Sequence, residues 1–208
     1  MTGTIALFGG GPFMANDELD AELLRATGAD RAVVLPTADA FEHPERLVAA
    51  AMEWGQRIEV AVEALMVLNR RDALDNGAAA VVRDAAAVWL VGDSPMHLRS
   101  VMKDTPVWEA IVARPGCGGL VAAVGTSAAA VCDPMTDPRG GAFTLGLGLV
   151  GGVALITEAE TWSEERLHRT RSLANVPIVT LPTGSAIVRT GRSWSLHGEA
   201  AVTGDLPG

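Results

Sequence analysis

Hydrophobic and polar positions follow two alternating patterns along most of the chain. Thr4–Phe8, Arg31–Leu35, Ala87–Val91 and Gly119–Val124 are short, nearly continuous apolar runs. Such runs read as strands buried on both faces. Between them lie segments with helical spacing. Glu18–Thr27 places Leu19, Leu23 and Leu24 on one stripe, and Pro44–Gly55 does the same with Leu47, Ala50, Ala51 and Trp54. Asp75–Asp84 and Met96–Ala113 also read as helical, the second interrupted at Pro106. Val60–Leu68 predicts a further strand, confined to its second half. Strands separated by helices predict an α/β fold, a three-layer α/β/α arrangement around a mostly parallel sheet.

The tail follows a different rule. Ile178–Leu181, Ala186–Thr190, Ser193–His197 and Ala200–Val202 are short alternating runs joined by turn residues. Gly191-Arg192 between the middle two predicts a C-terminal antiparallel hairpin at the edge of the same sheet. No repeat or linker interrupts the pattern, so residues 1–208 are read as a single domain.

One local pattern stands out. Val121–Val124 is an apolar strand, and Gly125-Thr126-Ser127-Ala128-Ala129 follows it as a small-residue turn opening a helix over Ser127–Cys132. A serine at the apex of a strand-to-helix turn has the geometry of a nucleophile elbow. The nearest pattern is G-x-S-x-G, with Ala129 in place of the last glycine. In an open parallel sheet, ligands bind beyond the carboxyl ends of the strands. The loops expected there are Gly9-Gly10-Gly11-Pro12, Pro36–Pro44, Gly92-Asp93-Ser94-Pro95 and Gly125–Ala129. The glycine run lacks the G-x-G-x-x-G spacing of a dinucleotide loop.

Composition narrows the classes. The 208 residues suit one sizeable core, and 49% are hydrophobic. No apolar run is long enough to span a membrane, and no signal peptide opens the chain. Cys117 and Cys132 make neither a metal spacing nor a disulfide framework, so a reducing cytoplasm is expected, with no metal and no cofactor. A net charge of −9 argues against a nucleic-acid partner.

The ordered set Gly9-Gly10-Gly11, Val34-Leu35-Pro36-Thr37-Ala38, Val91-Gly92-Asp93-Ser94, Gly125-Thr126-Ser127-Ala128 and Gly146-Leu147-Gly148-Leu149 resembles one family from about Ile5 to Val202. It is similar to the serine peptidases that include aspartyl dipeptidase (peptidase E) and cyanophycinase, in the class I glutamine-amidotransferase-like fold. The resemblance implies hydrolysis next to aspartate in a small peptide or amide. It implies Ser127 as nucleophile. The Ala128 N–H and a donor near Gly92 and Asp93 would form the oxyanion hole, with Gly10 and Gly11 in the pocket wall. Arginines near the pocket would hold a substrate carboxylate.

The departures concern the rest of the machinery. The family expects a histidine near the end of Val153–Glu160, and Glu158 stands there instead. The orienting carboxylate expected near Pro182-Thr183-Gly184 is missing, as is a glutamine in the Gly92 loop. Serine needs a general base to attack at neutral pH. Four histidines are available: His43 and His97 on the pocket side, His168 in a helix over Ser163–Ala174, and His197 in the terminal hairpin. His97, His168 and Glu158 are the candidate replacements. Asp133–Gly141 reads as a surface loop near the site, placed to act as a lid. Three readings stay open: a serine hydrolase with a rearranged base, a non-catalytic small-ligand binder, and an assembly protein. A homodimer is the expected assembly.

Overall fold

The computed structural model describes residues 3–208. The first half alternates β1 (Thr4–Phe8), α1 (Asp17–Thr27), β2 (Arg31–Leu35), α2 (Pro44–Arg57), β3 (Ala61–Ala64), α3 (Arg70–Ala73) and α4 (Asn76–Asp84). It continues through β4 (Ala87–Leu90), α5 (Pro95–Met102), α6 (Pro106–Ala113), β5 (Leu120–Val124) and α7 (Thr126–Val131). Four two-residue strands follow: β6 (Cys132–Asp133), β7 (Met135–Thr136), β8 (Phe143–Thr144) and β9 (Val150–Gly151). The chain ends with β10 (Ala154–Thr157), α8 (Glu164–Leu173), β11 (Ile178–Leu181), β12 (Ala186–Thr190), β13 (Ser193–His197) and β14 (Ala201–Thr203).

The main sheet has the order β13-β12-β1-β5-β4-β2-β3. The five strands from β1 to β3 in that order are parallel, and β12 and β13 are antiparallel additions at one edge. Side chains alternate faces along each strand. Ile5, Leu7, Val33, Leu35, Val88, Leu90, Val121 and Ala123 pack under α3–α7. Ala6, Phe8, Ala32, Val34, Trp89, Ala122 and Val124 pack on the other face with Leu23 and Leu24 of α1 and Trp54 of α2. Both faces are dry, which is why these strands read as continuous apolar runs.

Local chemistry fixes the breaks. Pro106 opens α6 at its first turn, and the Thr105 hydroxyl caps it by accepting the Trp108 N–H at 3.3 Å. Three expectations need correction. β3 takes the first half of Val60–Leu68, because β2 pairs Arg31 with Ala61 and runs out at Leu35 before Pro36. In the tail, only β12 and β13 join the main sheet. Pro182 lacks an N–H, and a turn at Thr183-Gly184 carries the chain out, leaving β11 and β14 in a second sheet with β10. Cys132 is not a helix residue: α7 stops at Val131, and Cys132 enters β6, where burial pushes its thiol up. The 133–141 segment carries β7, which pairs with β8, and Thr170 of α8 ties it down by donating to the Gly141 carbonyl at 2.9 Å. No helix among the described residues is long and apolar enough to cross a membrane.

One carboxyl lies in the core. Asp20 of α1 is buried and accepts the Trp54 indole N–H at 3.0 Å, while its other carboxylate oxygen has no partner. Burial is the main cause of a rise from 3.8 to about 7. The fold therefore favours the neutral acid. Stability from Asp20 is full below the unfolded value of 3.8 and is lost as pH rises through about 7. Asp20→Asn keeps an acceptor for Trp54 and removes the charge. Its melting temperature is expected to exceed that of the parent by roughly 3–10 °C at pH 8 and to match it near pH 4. Differential scanning calorimetry across that range reads both points.

Candidate functional site

The carboxyl ends of the parallel strands lie level. Phe8 sits beside Val124, Ala123 beside Leu90, and Leu90 beside Leu35. Each strand then exits through a small or rigid residue: Gly9, Gly125, Gly92 after Val91, and Pro36. The loops converge closely because side chains are missing from them.

The turn between β5 and α7 has its apex at Gly125, with φ 61° and ψ −133°. That backbone conformation strains any residue with a Cβ. In a nucleophile elbow, the nucleophile itself sits on this strained turn and projects outward. A Cβ added at Gly125 would meet nothing within 4 Å, so the apex faces open space. Ser127, expected at the apex, is two residues further on and lies inside α7. The reason is the strand register. β5 pairs through Val124 opposite Phe8, so the first residue free to turn is Gly125, whose N–H donates to the Phe8 carbonyl at 3.0 Å.

Ser127 has 0% exposure. Its hydroxyl donates to the Gly92 carbonyl at 2.9 Å, and the Thr126 hydroxyl donates to the same oxygen at 3.2 Å. Gly92 is held from its other side too. Its φ of 113° suits glycine, and an added Cβ would come within 2.6 Å of the Asp39 nitrogen. Two of the N–H groups expected at the oxyanion hole take partners within the protein. The Asp93 N–H donates to Asp39 Oδ1 at 2.7 Å, and the Ala128 N–H donates to the Gly125 carbonyl at 3.0 Å.

Glu158 follows the β10 strand in a left-handed conformation, φ 48°, with its N–H donating to the Gly9 carbonyl at 2.9 Å. Its side chain lies over Gly10, where an added Cβ would be 2.7 Å from Glu158 Cγ and 3.0 Å from Thr183 Oγ1. Gly10 is thus a seat for Glu158. Gly11 has φ 65° and turns the loop towards Ala15. A carboxylate does reach Thr183, but from Glu160, which accepts the Thr183 N–H at 3.1 Å.

The mouth is acidic. Burial, then the charges of Asp93 and Glu160, push Glu158 above the ordinary carboxylate range. Burial, then Asp39 and Glu42, do the same to Asp93. None of these five carboxylates forms an ion pair among the described residues. Beside them opens a cavity of about 700 Å³ lined by Asp39, Glu42, His43, Arg46, Leu47, Asp93 and Ser94.

The histidines take other partners. His97 of α5 places Nε2 2.9 Å from the Leu68 carbonyl and packs edge-on against Phe41. His168 is exposed on α8. His43 is exposed and pairs with Glu45 at 2.9 Å, and His197 sits 3.0 Å from the Ser195 hydroxyl. Ser127 is hydrogen-bonded to none of them, nor to Glu158. No group of three metal-ligating side chains is gathered among the described residues. The arrangement presents an open, glycine-floored mouth walled by carboxylates, with Arg46 on its flank. Sequence reasoning missed the apex glycine, although counting from the end of the apolar strand reaches Gly125 first. It also missed Asp39 as the acceptor of the Asp93 N–H.

No family model and no curated protein matches the chain. Solved structures do. A peptidase from an acI-B1 actinobacterium superimposes with a TM-score of 0.85, covering 97% of this chain and 90% of that one at 23% identity. A putative peptidase E from Listeria monocytogenes EGD-e gives 0.74, covering 94% and 98% at 15% identity. This chain therefore has the peptidase E-like, class I glutamine-amidotransferase-like fold.

Two substitutions separate packing from strain. Ser127→Ala deletes one of the two hydroxyls on the Gly92 carbonyl and is expected to cost about 1 kcal/mol. Gly125→Ala finds room for its methyl but is expected to cost about 1–3 kcal/mol, because the backbone conformation itself is unfavourable. Urea unfolding of each variant gives both values.

Proposed function

We propose that this chain uses the peptidase E-like fold to bind a small zwitterionic peptide or amide at the strand-end mouth, without acyl-enzyme chemistry. One observation carries the reading. The hydroxyl aligned with the nucleophile is buried and donates its proton to the Gly92 carbonyl, while the residue at the turn apex is Gly125. A carbonyl oxygen cannot take that proton, so nothing at this position raises the nucleophilicity of Ser127. The mouth supplies recognition instead. Asp93 and Glu158 face a ligand ammonium, and the Arg46 guanidinium lines the adjacent cavity, where it pairs with a ligand carboxylate. The peptidase named for the actinobacterial relative belongs to that protein, and the fold alone does not transfer it.

A second reading rests on Glu158. Its carboxyl is half-buried, raised, and held in a left-handed conformation at the position where the resemblance expects the base. If Ser127 swings out of α7, Glu158 is the group to receive its proton, and a weak hydrolase results.

Covalent labelling separates the two. Incubation with a small fluorophosphonate is expected to leave the intact mass unchanged in the parent and in Ser127→Ala. A single adduct lost in Ser127→Ala would replace the binding reading with the hydrolase one. Thermal-shift titration with aspartyl dipeptides is expected to show stabilisation without turnover. Arg46→Glu should weaken that binding about tenfold or more, since it reverses the charge facing the ligand carboxylate. Acidification should weaken it as well. Because Asp93 and Glu158 are raised, they lose the charge that faces the ammonium at a higher pH than ordinary carboxylates do. Affinity measured from pH 8 downwards should fall before pH 4.5 is reached.

A further inference from the structure

We infer that the outer edge of β13 is the interface of a two-fold homodimer in which the seven-stranded sheet continues into a second copy. β13 lies at the end of the strand order and pairs only with β12. The two-residue turn Gly191-Arg192 makes Thr190 and Ser193 a hydrogen-bonded pair, and such pairs alternate along an antiparallel ladder. Ser193, Ser195 and His197 therefore direct their backbone groups to Thr190, Val188 and Ala186. On the far side of β12 the parity agrees, since the Ser185 carbonyl turns the other way, accepting the Gly9 N–H at 2.9 Å. The N–H and C=O of Trp194 and Leu196 are left pointing outward, with no backbone partner among the described residues.

Natural edge strands are usually blunted by lysine, proline, a bulge or an inward charge. Ser193-Trp194-Ser195-Leu196-His197 carries none of these. The opposite edge of the sheet is different: β3 carries Glu63, paired with Arg31. Of the two edges, only β13 is left as an open, uncharged template.

The features of this edge complement a second copy of themselves. Antiparallel self-pairing about a two-fold axis through Ser195 sets Trp194 opposite the partner's Leu196, and Leu196 opposite the partner's Trp194. Each pair closes two backbone hydrogen bonds, using the four groups that point outward. Each also sets a leucine beside an indole that the Pro207 carbonyl already fixes by accepting its N–H at 2.8 Å, a stabilising cross-strand combination. Leu196 is 46% exposed in the single chain and is covered by that contact. The same register brings Arg192 opposite the partner's Gly198, beside the partner's Glu199, and does so twice. Arg192 and Glu199 are both exposed and unpaired by any salt bridge among the described residues. Hydrogen bonding, apolar contact and charge thus agree on one register, which favours a second copy over a foreign strand.

Sedimentation equilibrium of the full chain tests this. The parent is expected at twice its 21.6 kDa at tens of micromolar. Arg192→Glu and Glu199→Arg should each raise the dissociation constant about tenfold, replacing two attractions by two repulsions. The double variant Arg192→Glu/Glu199→Arg should restore dimerisation, which no loss of folding can imitate. Leu196→Lys should give a monomer with an unchanged circular dichroism spectrum. A parent that stays monomeric to about 100 µM overturns the proposal, because such an affinity is below that of a specific dimer. A dimer indifferent to all four variants overturns it equally, by placing the contact on another face or with another partner strand.

Discussion

The carbonyl of Gly92 is the point on which the strand-end mouth is organised. It receives the hydroxyls of Thr126 and Ser127 from the first turn of α7. On the other side of the same residue, the loop after β2 closes in so tightly that no Cβ would fit, and Asp39 accepts the Asp93 N–H. One glycine thus joins the exits of β2, β4 and β5. A buried carbonyl with two donors is well satisfied, and both hydroxyl protons of the α7 first turn are placed on it. The serine that stands out in the sequence ties the start of α7 to the exit of β4.

Much of the fold was legible in the amino-acid order. The parallel strands are apolar on both faces, so Thr4–Phe8, Arg31–Leu35, Ala87–Val91 and Gly119–Val124 stand out without ambiguity. Pro106 and Thr105 announce a helix start by their own chemistry. The errors fall where pairing, not propensity, decides. β3 is set by where β2 ends, and the tail divides between two sheets because Pro182 and the following turn redirect it. The site was legible as a place, since strand ends and glycine loops mark it. The apex of the turn was not, because motif matching counts residues from a pattern while the turn counts them from the last ladder bond. Asp39, Glu160 and Arg46 enter the mouth from separate elements, and no local spacing announces them.

Burial is the first cause of the rise in two acidic environments that otherwise differ. Asp20 is lifted by an apolar core in which the Trp54 indole is its one polar neighbour. Asp93 and Glu158 are lifted by partial burial together with their own crowding at an open mouth. The first is a cost borne by the folded state in isolation. The second is of a kind that a nearby positive charge relieves. Glu158 also keeps a left-handed backbone, held by the Gly9 carbonyl and seated on the bare face of Gly10.

Gly125 bears on descent as well as on mechanism. A side chain at an elbow apex survives only while selection for its chemistry outweighs the strain it imposes on the backbone. Glycine relieves that strain and leaves the turn, the strand and the helix in place. The space that such a side chain would fill is open.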